Sequence, residues 1–305
     1  MPIPVTAQAE RRSGAEGLSP GRTSQRFAAF VELTKPRITL TVLVTGAFGM
    51  ALAPGRVAVS QALTSLLGTV LVVSSANALN MWWEREVDGR MARTASRPLP
   101  SGRLAARDAL VFGLVLGALA IPVLLQVNAL TAALGLLALV GYVLVYTPLK
   151  ARTPYALHVG AVPGALPPLM GYATVAGRVD GVALALFVVL FLWQIPHFVA
   201  ISLVRSAEYA KAELPVYGLA KPANVVRRTV ALYTYATVAA SLVPLLLGRV
   251  APLYAGVAGV LGLGLIALAH RMNAGSEGGA ARFFRASVVY LVLVYGAMVL
   301  TRVGA

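Results

Sequence analysis

The sequence predicts an all-α polytopic membrane protein: nine transmembrane helices, arranged as two four-helix repeats plus one, with the N-terminus cytoplasmic. Three observations carry this. Of 305 residues, 58% are hydrophobic and only 12% charged, about half the ~25% charged residues of a water-facing domain. Apolar runs near the ~20 residues that cross a bilayer as a helix fall at 38–57, 61–83, 106–126, 128–147, 155–176, 181–204, 229–247, 251–270 and 284–302. With nine spans, 22 of the 26 Lys and Arg residues collect in the N-terminal segment and alternate loops, leaving Arg56, Arg178, Arg249 and Arg302 for the other side. The basic side is cytoplasmic in such an asymmetry.

Other classes fall away on the same composition. A net charge of +15 would suggest nucleic-acid binding in a soluble domain, but here the charge lies between apolar runs, so no nucleic acid is expected as a partner. A transmembrane β-barrel would show short alternating segments. With no Cys, disulfides and thiolate sites are excluded. The three His residues, His158, His197 and His270, are far apart in sequence.

Taken in order, residues 1–34 read as a basic, disordered tail containing Arg11, Arg12, Arg22 and Arg26, with Phe27–Arg37 as an interfacial segment. The tail lacks the apolar stretch of a signal peptide. Residues 35–305 form the membrane domain. Two loops of equal length, 84–107 and 205–228, follow the second and sixth spans, and both carry carboxylates and basic residues. This spacing suggests the repeat. Pro163, Pro167, Pro168 and Pro196 lie inside spans, where broken or closely packed helices tolerate them.

The chemistry concentrates at the cytoplasmic end of span two. In N-A-L-N-M-W-W-E-R-E-V-D-G-R, residues Asn77, Asn80, Glu84 and Asp88 recur at three- or four-residue steps and share one helical edge. Clustered carboxylates repel unless a cation sits between them, and the expectation is that removing one relieves repulsion in the absence of metal. Arg85 and Arg90 are candidate neutralising charges. A row of hard oxygens suits Mg²⁺, which usually takes one or two carboxylates and completes its shell with phosphate oxygens and water. Next come Arg93 and Arg97 in M-A-R-T-A-S-R-P, whose planar forks suit phosphate. The second loop offers Arg205, Glu208, Tyr209, Lys211 and Glu213; either carboxylate could complete a second metal site. Tyr146 and Lys150 follow span four on the same side. His197, beside Pro196 in F-L-W-Q-I-P-H-F, is a candidate cavity residue or a helix-packing hydrogen bond. His158 and His270 read as structural.

The run from Asn80 to Arg103 resembles the first signature of the UbiA-type intramembrane prenyltransferases. L-T-K-P-R at 33–37, Y-T-P-L-K…R-T-P-Y…G-A-L-P-P-L-M-G at 146–171 and F-L-W-Q-I-P-H-F at 191–198 make it similar to their protohaem IX farnesyltransferase branch. The resemblance implies transfer of a farnesyl group from farnesyl diphosphate to a vinyl group of haem b, in a bacterial cytoplasmic membrane. It implies Mg²⁺ as cofactor and haem A synthase or a terminal oxidase as partners in assembly. It assigns Asn80, Glu84, Asp88 and Glu208 to the metal and catalytic set. Asn77, Arg93, Arg97, Tyr146, Lys150, His197, Arg205, Tyr209 and Lys211 fall to substrate binding. Glu84 stands where Asp is common in the family, and Ala207 and Glu213 depart from the second motif. Rival readings are a UbiA-type enzyme acting on a quinone precursor or chlorophyllide, and a repeat-built cation-coupled transporter, whose sites lie near the midplane.

The charge split makes a topology prediction. A reporter fused after Arg103 or Lys211 reads as cytoplasmic and one at Arg178 as external; a periplasmic signal from the 84–107 loop would overturn the orientation.

Overall fold

The computed structural model describes residues 20–272 and 277–303; residues 1–19 of the expected tail lie outside them. The described residues are helical throughout, apart from turns and one isolated bridge between Val250 and Arg302. In order, the helices are α1 (Pro20–Leu33), α2 (Pro36–Leu52), α3 (Val59–Gly89), α4 (Ala106–Leu125), α5 (Ala129–Val140), α6 (Thr147–Lys150), α7 (Ala156–Ala176), α8 (Gly181–Val204), α9 (Ser206–Lys211), α10 (Tyr217–Ala220), α11 (Ala223–Ser241), α12 (Val243–Leu246), α13 (Leu253–His270) and α14 (Glu277–Leu300). A π-helical turn, Gly141–Tyr146, joins α5 to α6.

Seven helical stretches among the described residues are long and apolar enough to cross a membrane. The other two of the nine expected spans are helices that fall short of that measure. Helix α2 has 17 residues, about 26 Å at 1.5 Å per residue, against a hydrocarbon core of about 30 Å. In α7, three prolines and three glycines dilute the hydropathy. Its middle, Ala165–Thr174, is buried throughout, so α7 faces protein where a lipid-facing helix would need more apolar surface.

Part of the expected tail is ordered as α1. Its Ala29 and Leu33 are buried with Ala78 and Met81 of α3 and Ala109 of α4. Its junction with α2 is pinned from α3, where Asn77 Nδ2 donates to the Thr34 carbonyl at 3.3 Å. Lys35 sits at that junction with φ 47° and ψ 65°, a left-handed conformation uncommon for a side-chain-bearing residue.

Helices α7 and α8 form the centre, with α2 and α5 packed on α7, and α11 and α14 packed on α8. The α2–α7 crossing depends on glycine. A Cβ on Gly171 would collide with the Gly46 backbone carbonyl, and one on Gly49 with that of Pro168. Small residues allow this close approach where lipid gives helices no hydrophobic reason to associate. At 31 residues, α3 is about 46 Å long and outruns a ~30 Å hydrocarbon core.

Gly171→Ala should cost about 3 kcal/mol or more, because the obstacle is backbone rather than a side chain that can turn away. Gly264→Ala, with no atom within 4 Å of the added Cβ, should leave the melting temperature in detergent unchanged. Equal melting of the two variants would remove the argument for a glycine-dependent crossing.

Candidate active site

Helices α2, α3, α5, α7, α8 and α14, with the segments that follow α6 and α8, line a cavity of about 500 Å³. Its middle is apolar, with Val72, Ala76, Leu157 and Met170 among the lining residues. One end carries Lys35, Asn77, Tyr142, Tyr146, Lys150 and Tyr209; Trp193, Gln194 and His197 reach it from α8. The π turn brings Tyr142 and Tyr146 onto the cavity with ring centroids 5.1 Å apart. Such turns interrupt α-helices at functional sites more often than elsewhere.

Behind the polar end, joined to it through Lys35 and Lys150, lies a set of acid–base pairs whose carboxylates and arginines do not themselves line the cavity. Asp88, whose side chain is 2% exposed, accepts from Arg97 Nη1 at 2.6 Å. Thr94 Oγ1 donates to the Asp88 carbonyl at 2.7 Å, folding the loop so that Arg97 turns back onto α3. Glu84 is paired with Lys150 Nζ at 3.0 Å. Glu208 joins both loops, accepting from Arg93 at 3.2 Å and Arg205 at 3.0 Å. Beneath it, Met91 of the first loop is buried with Ala212 and Leu214 of the second.

The expected repulsion among the α3 carboxylates is therefore corrected: Glu84 and Asp88 each have a cation. These cations are not Arg85 and Arg90. The Arg85 guanidinium is held by the Trp82 carbonyl and Glu86, while Lys150 and Arg97 reach Glu84 and Asp88 from other segments.

Both amides on that face are buried. Asn80 accepts from Lys35 Nζ at 3.3 Å and donates to Thr147 Oγ1 at 3.3 Å. Lys35 was not singled out as a site residue from sequence; it stands 45 positions from Asn80, and only its place ahead of Pro36 in L-T-K-P-R marks it. Burial, reinforced by the nearby Arg97, pulls its ammonium down to about 7. Of the remaining residues, Tyr146, Lys150 and Tyr209 reach the cavity. Lys211 is exposed and does not line it. Glu213 is also exposed, with φ 55°, whereas Glu208 faces Arg93 of the first loop. His197 is buried deeper, with Nδ1 2.8 Å from Ser287 Oγ.

The oxygens of Asn80, Glu84, Asp88 and Glu208 have the hardness that Mg²⁺ prefers. Among the described residues no group of three His, Asp or Glu converges as a metal cage. The donor set thus fits an ion held by one or two carboxylates together with phosphate oxygens, which is the usual mode for Mg²⁺. The adjacent Lys35, Arg93, Arg97 and Lys150 supply the charges that an anion of several phosphate oxygens needs.

Residues 42–294 match the UbiA prenyltransferase family. The chain belongs to that family. A protoheme IX farnesyltransferase of Anaeromyxobacter sp. (strain Fw109-5) is 48% identical over 88% of this chain and 91% of its own. One from Myxococcus xanthus is 47% identical over 90% and 94%. The fold is shared with a solved digeranylgeranylglyceryl phosphate synthase, at TM-score 0.78 and 15% identity over 90% of this chain and 98% of that one. It is also shared with a UbiA homologue from Archaeoglobus fulgidus bound to DMAPP and Mg²⁺, at TM-score 0.64 and 16% identity over 88% and 98%. This family member is a prenyltransferase.

The pairing reverses the expected stability of one variant. Asp88→Ala strands Arg97 beside a buried face, and breaking a buried pair typically costs about 3–5 kcal/mol. Because Arg97 retains 20% exposure, a loss near the lower end is expected in metal-free detergent, read as a fall in melting temperature. Asp88→Ala combined with Arg97→Met should recover part of it. Unchanged melting in the single variant would show that the pair is not held in solution.

Proposed function

We propose that this protein transfers the farnesyl group of farnesyl diphosphate to a vinyl group of haem b, giving haem O for haem–copper oxidases. The observation that carries the reading is the cavity with what stands behind it: Lys35 and Lys150 at one end, backed by the hard oxygens of Asn80 and Glu84, an apolar interior, and His197 with aromatic neighbours beyond. The two relatives at 47–48% identity support haem as acceptor, since the motifs shared across the wider family concern only the diphosphate.

In this reading Lys35, Arg93, Arg97 and Lys150 bind the diphosphate, with Tyr146 and Tyr209 beside it. Asn80, Glu84, Asp88 and Glu208 would hold Mg²⁺, with Asn77 one turn deeper. Bound there, Mg²⁺ would supply charge stabilisation for the departing diphosphate. The basic side chains do the same work where negative charge grows as the C–O bond of the donor breaks. The apolar lining shields the allylic cation from water. The vinyl group then forms a bond to farnesyl C1, and water adds to the resulting cation and releases a proton. Tyr142 and Tyr146 border the path between the two ends.

The same reading places nine helices across the cytoplasmic membrane with the charged end cytoplasmic. Its support is the basic asymmetry together with pairs such as Glu84–Lys150 and Arg93–Glu208, which join segments that the charge count assigns to one side.

Membranes containing the protein, supplied with haem b, farnesyl diphosphate and Mg²⁺, should yield on extraction a haem heavier by a farnesyl group and a hydroxyl. Arg97→Ala should lower the turnover about 10²–10³-fold, the usual loss when one donor to a developing anion is removed. Unaltered haem alongside a prenylated quinone precursor would overturn the acceptor assignment.

A further inference from the structure

A short hydrogen-bond chain between α8 and α14 has no part in diphosphate binding. His197 Nδ1 lies 2.8 Å from Ser287 Oγ, and Ser287 Oγ lies 2.7 Å from the carbonyl oxygen of Phe284. A carbonyl oxygen can only accept, so when the Ser287 hydroxyl donates to Phe284 its single proton is spent there. In that arrangement the proton between Ser287 and His197 comes from the imidazole, with Nδ1 as the donor. A neutral imidazole with its proton on Nδ1 carries its lone pair on Nε2.

The surroundings fix the ring as well as the tautomer. Trp193 stacks on His197 with centroids 4.3 Å apart, and Phe284 lies at 4.7 Å. The Trp193 indole N–H donates to the Ser287 carbonyl at 2.7 Å. Ser287, itself fully buried, therefore holds the imidazole through its side chain and the stacking partner through its backbone. His197 lines the cavity. Among the described residues its Nε2 takes no hydrogen bond, and it is not one of the buried polar atoms left without a partner. A helix-packing histidine would use that second nitrogen on protein or have it sealed away.

We propose that Ser287 is a positioning residue of the acceptor site, holding His197 as the Nδ1–H tautomer so that its Nε2 lone pair is presented to the iron of haem b. The inference rests on haem being the acceptor. Its chemistry is that of histidine ligation in general. The ligating nitrogen needs a free lone pair, and the other ring N–H is given to a hydrogen-bond partner that sets ring orientation and ligand basicity. Losing such a partner typically costs about 10–100-fold in affinity. Ligation from α8 would fix the porphyrin relative to the diphosphate end of the same cavity.

The test uses the purified full-length protein in detergent, titrated with ferric haem b and followed by visible absorption. The wild type should give a spectrum of histidine-ligated haem. His197→Ala should lose that signature, and added imidazole should restore it. Ser287→Ala should keep farnesyl diphosphate affinity while weakening haem about 10–100-fold, and Ser287→Thr, which keeps the hydroxyl, should recover most of it. A histidine-ligated spectrum that survives in His197→Ala would overturn the inference and leave the acceptor assignment standing. Haem affinity equal in Ser287→Ala and wild type would remove the positioning role. Failure of the wild type to bind haem would overturn the acceptor assignment together with the inference.

Discussion

The constraint on which the rest depends is that charge at the edge of an apolar bundle must be paired. Taking an ion out of water costs several kcal/mol even after the protein relaxes, and attraction to a partner offsets this only with good geometry. Helix α3 brings Glu84 and Asp88 to that edge, and the remaining architecture of this end delivers their partners. The loop after α3 folds back through Thr94 so that Arg97 reaches Asp88. The π turn and α6 end the helical stretch begun by α5 at Lys150, beside Glu84. The second loop is drawn over the first by Glu208 and Arg93. Ion pairing thus organises three separate segments around one end of one helix.

The same pairing suits an exchange of partners in the proposed reaction. Arg97, Lys150 and Arg93 each hold a carboxylate, which ties the two loops to each other and to α3. An incoming diphosphate with a divalent ion offers each of these cations a phosphate oxygen and each carboxylate a cation, so no buried charge need be left unpaired. Lys35 differs from the other three. Its partner is the neutral amide oxygen of Asn80, so it holds an ammonium in an enclosed setting with no anion of its own. A left-handed backbone at the α1–α2 junction holds it there, and such local strain persists where the surroundings over-determine it. Lys35 is the basic residue that stands to gain most from an anion.

What could be read from sequence follows from how far each signal extends along the chain. The shared face of Asn77, Asn80, Glu84 and Asp88 was legible because helical periodicity is local. Their partners were not: Lys150 is 66 residues from Glu84, and nothing short-range links them. Arg85, adjacent in sequence, was the natural candidate and points elsewhere. Composition suggested disorder for a segment that contains α1, because its basic character hid Ala29 and Leu33, the two residues that bury. The apolar runs coincide with the seven long apolar helical stretches among the described residues and with α2 and α7, yet runs alone could not show that α7 faces protein or that α2 is short. Ser287 lies in the last span amid apolar residues and carries no motif; only the geometry of its neighbours gives it a role.

Proline and glycine explain how one cavity can be charged at one end and aromatic at the other without the bundle collapsing between them. Gly49 and Gly171 bring α2 and α7 together at backbone distance, which fixes one wall. On the opposite wall Pro196 has no N–H to give, leaving the α8 ladder one bond short immediately before His197. An unmet carbonyl in an apolar interior is costly, and broken membrane helices are tolerated where they line a cavity or pack against protein. Helix α8 is buried over most of its length, so it meets that condition. Its polar residues at this level are satisfied from neighbouring helices: Gln194 by the Ala161 carbonyl of α7, and His197 by Ser287 of α14. The walls are therefore held by contacts directed away from the cavity. An apolar space of about 500 Å³ remains between the charged end and the aromatic end.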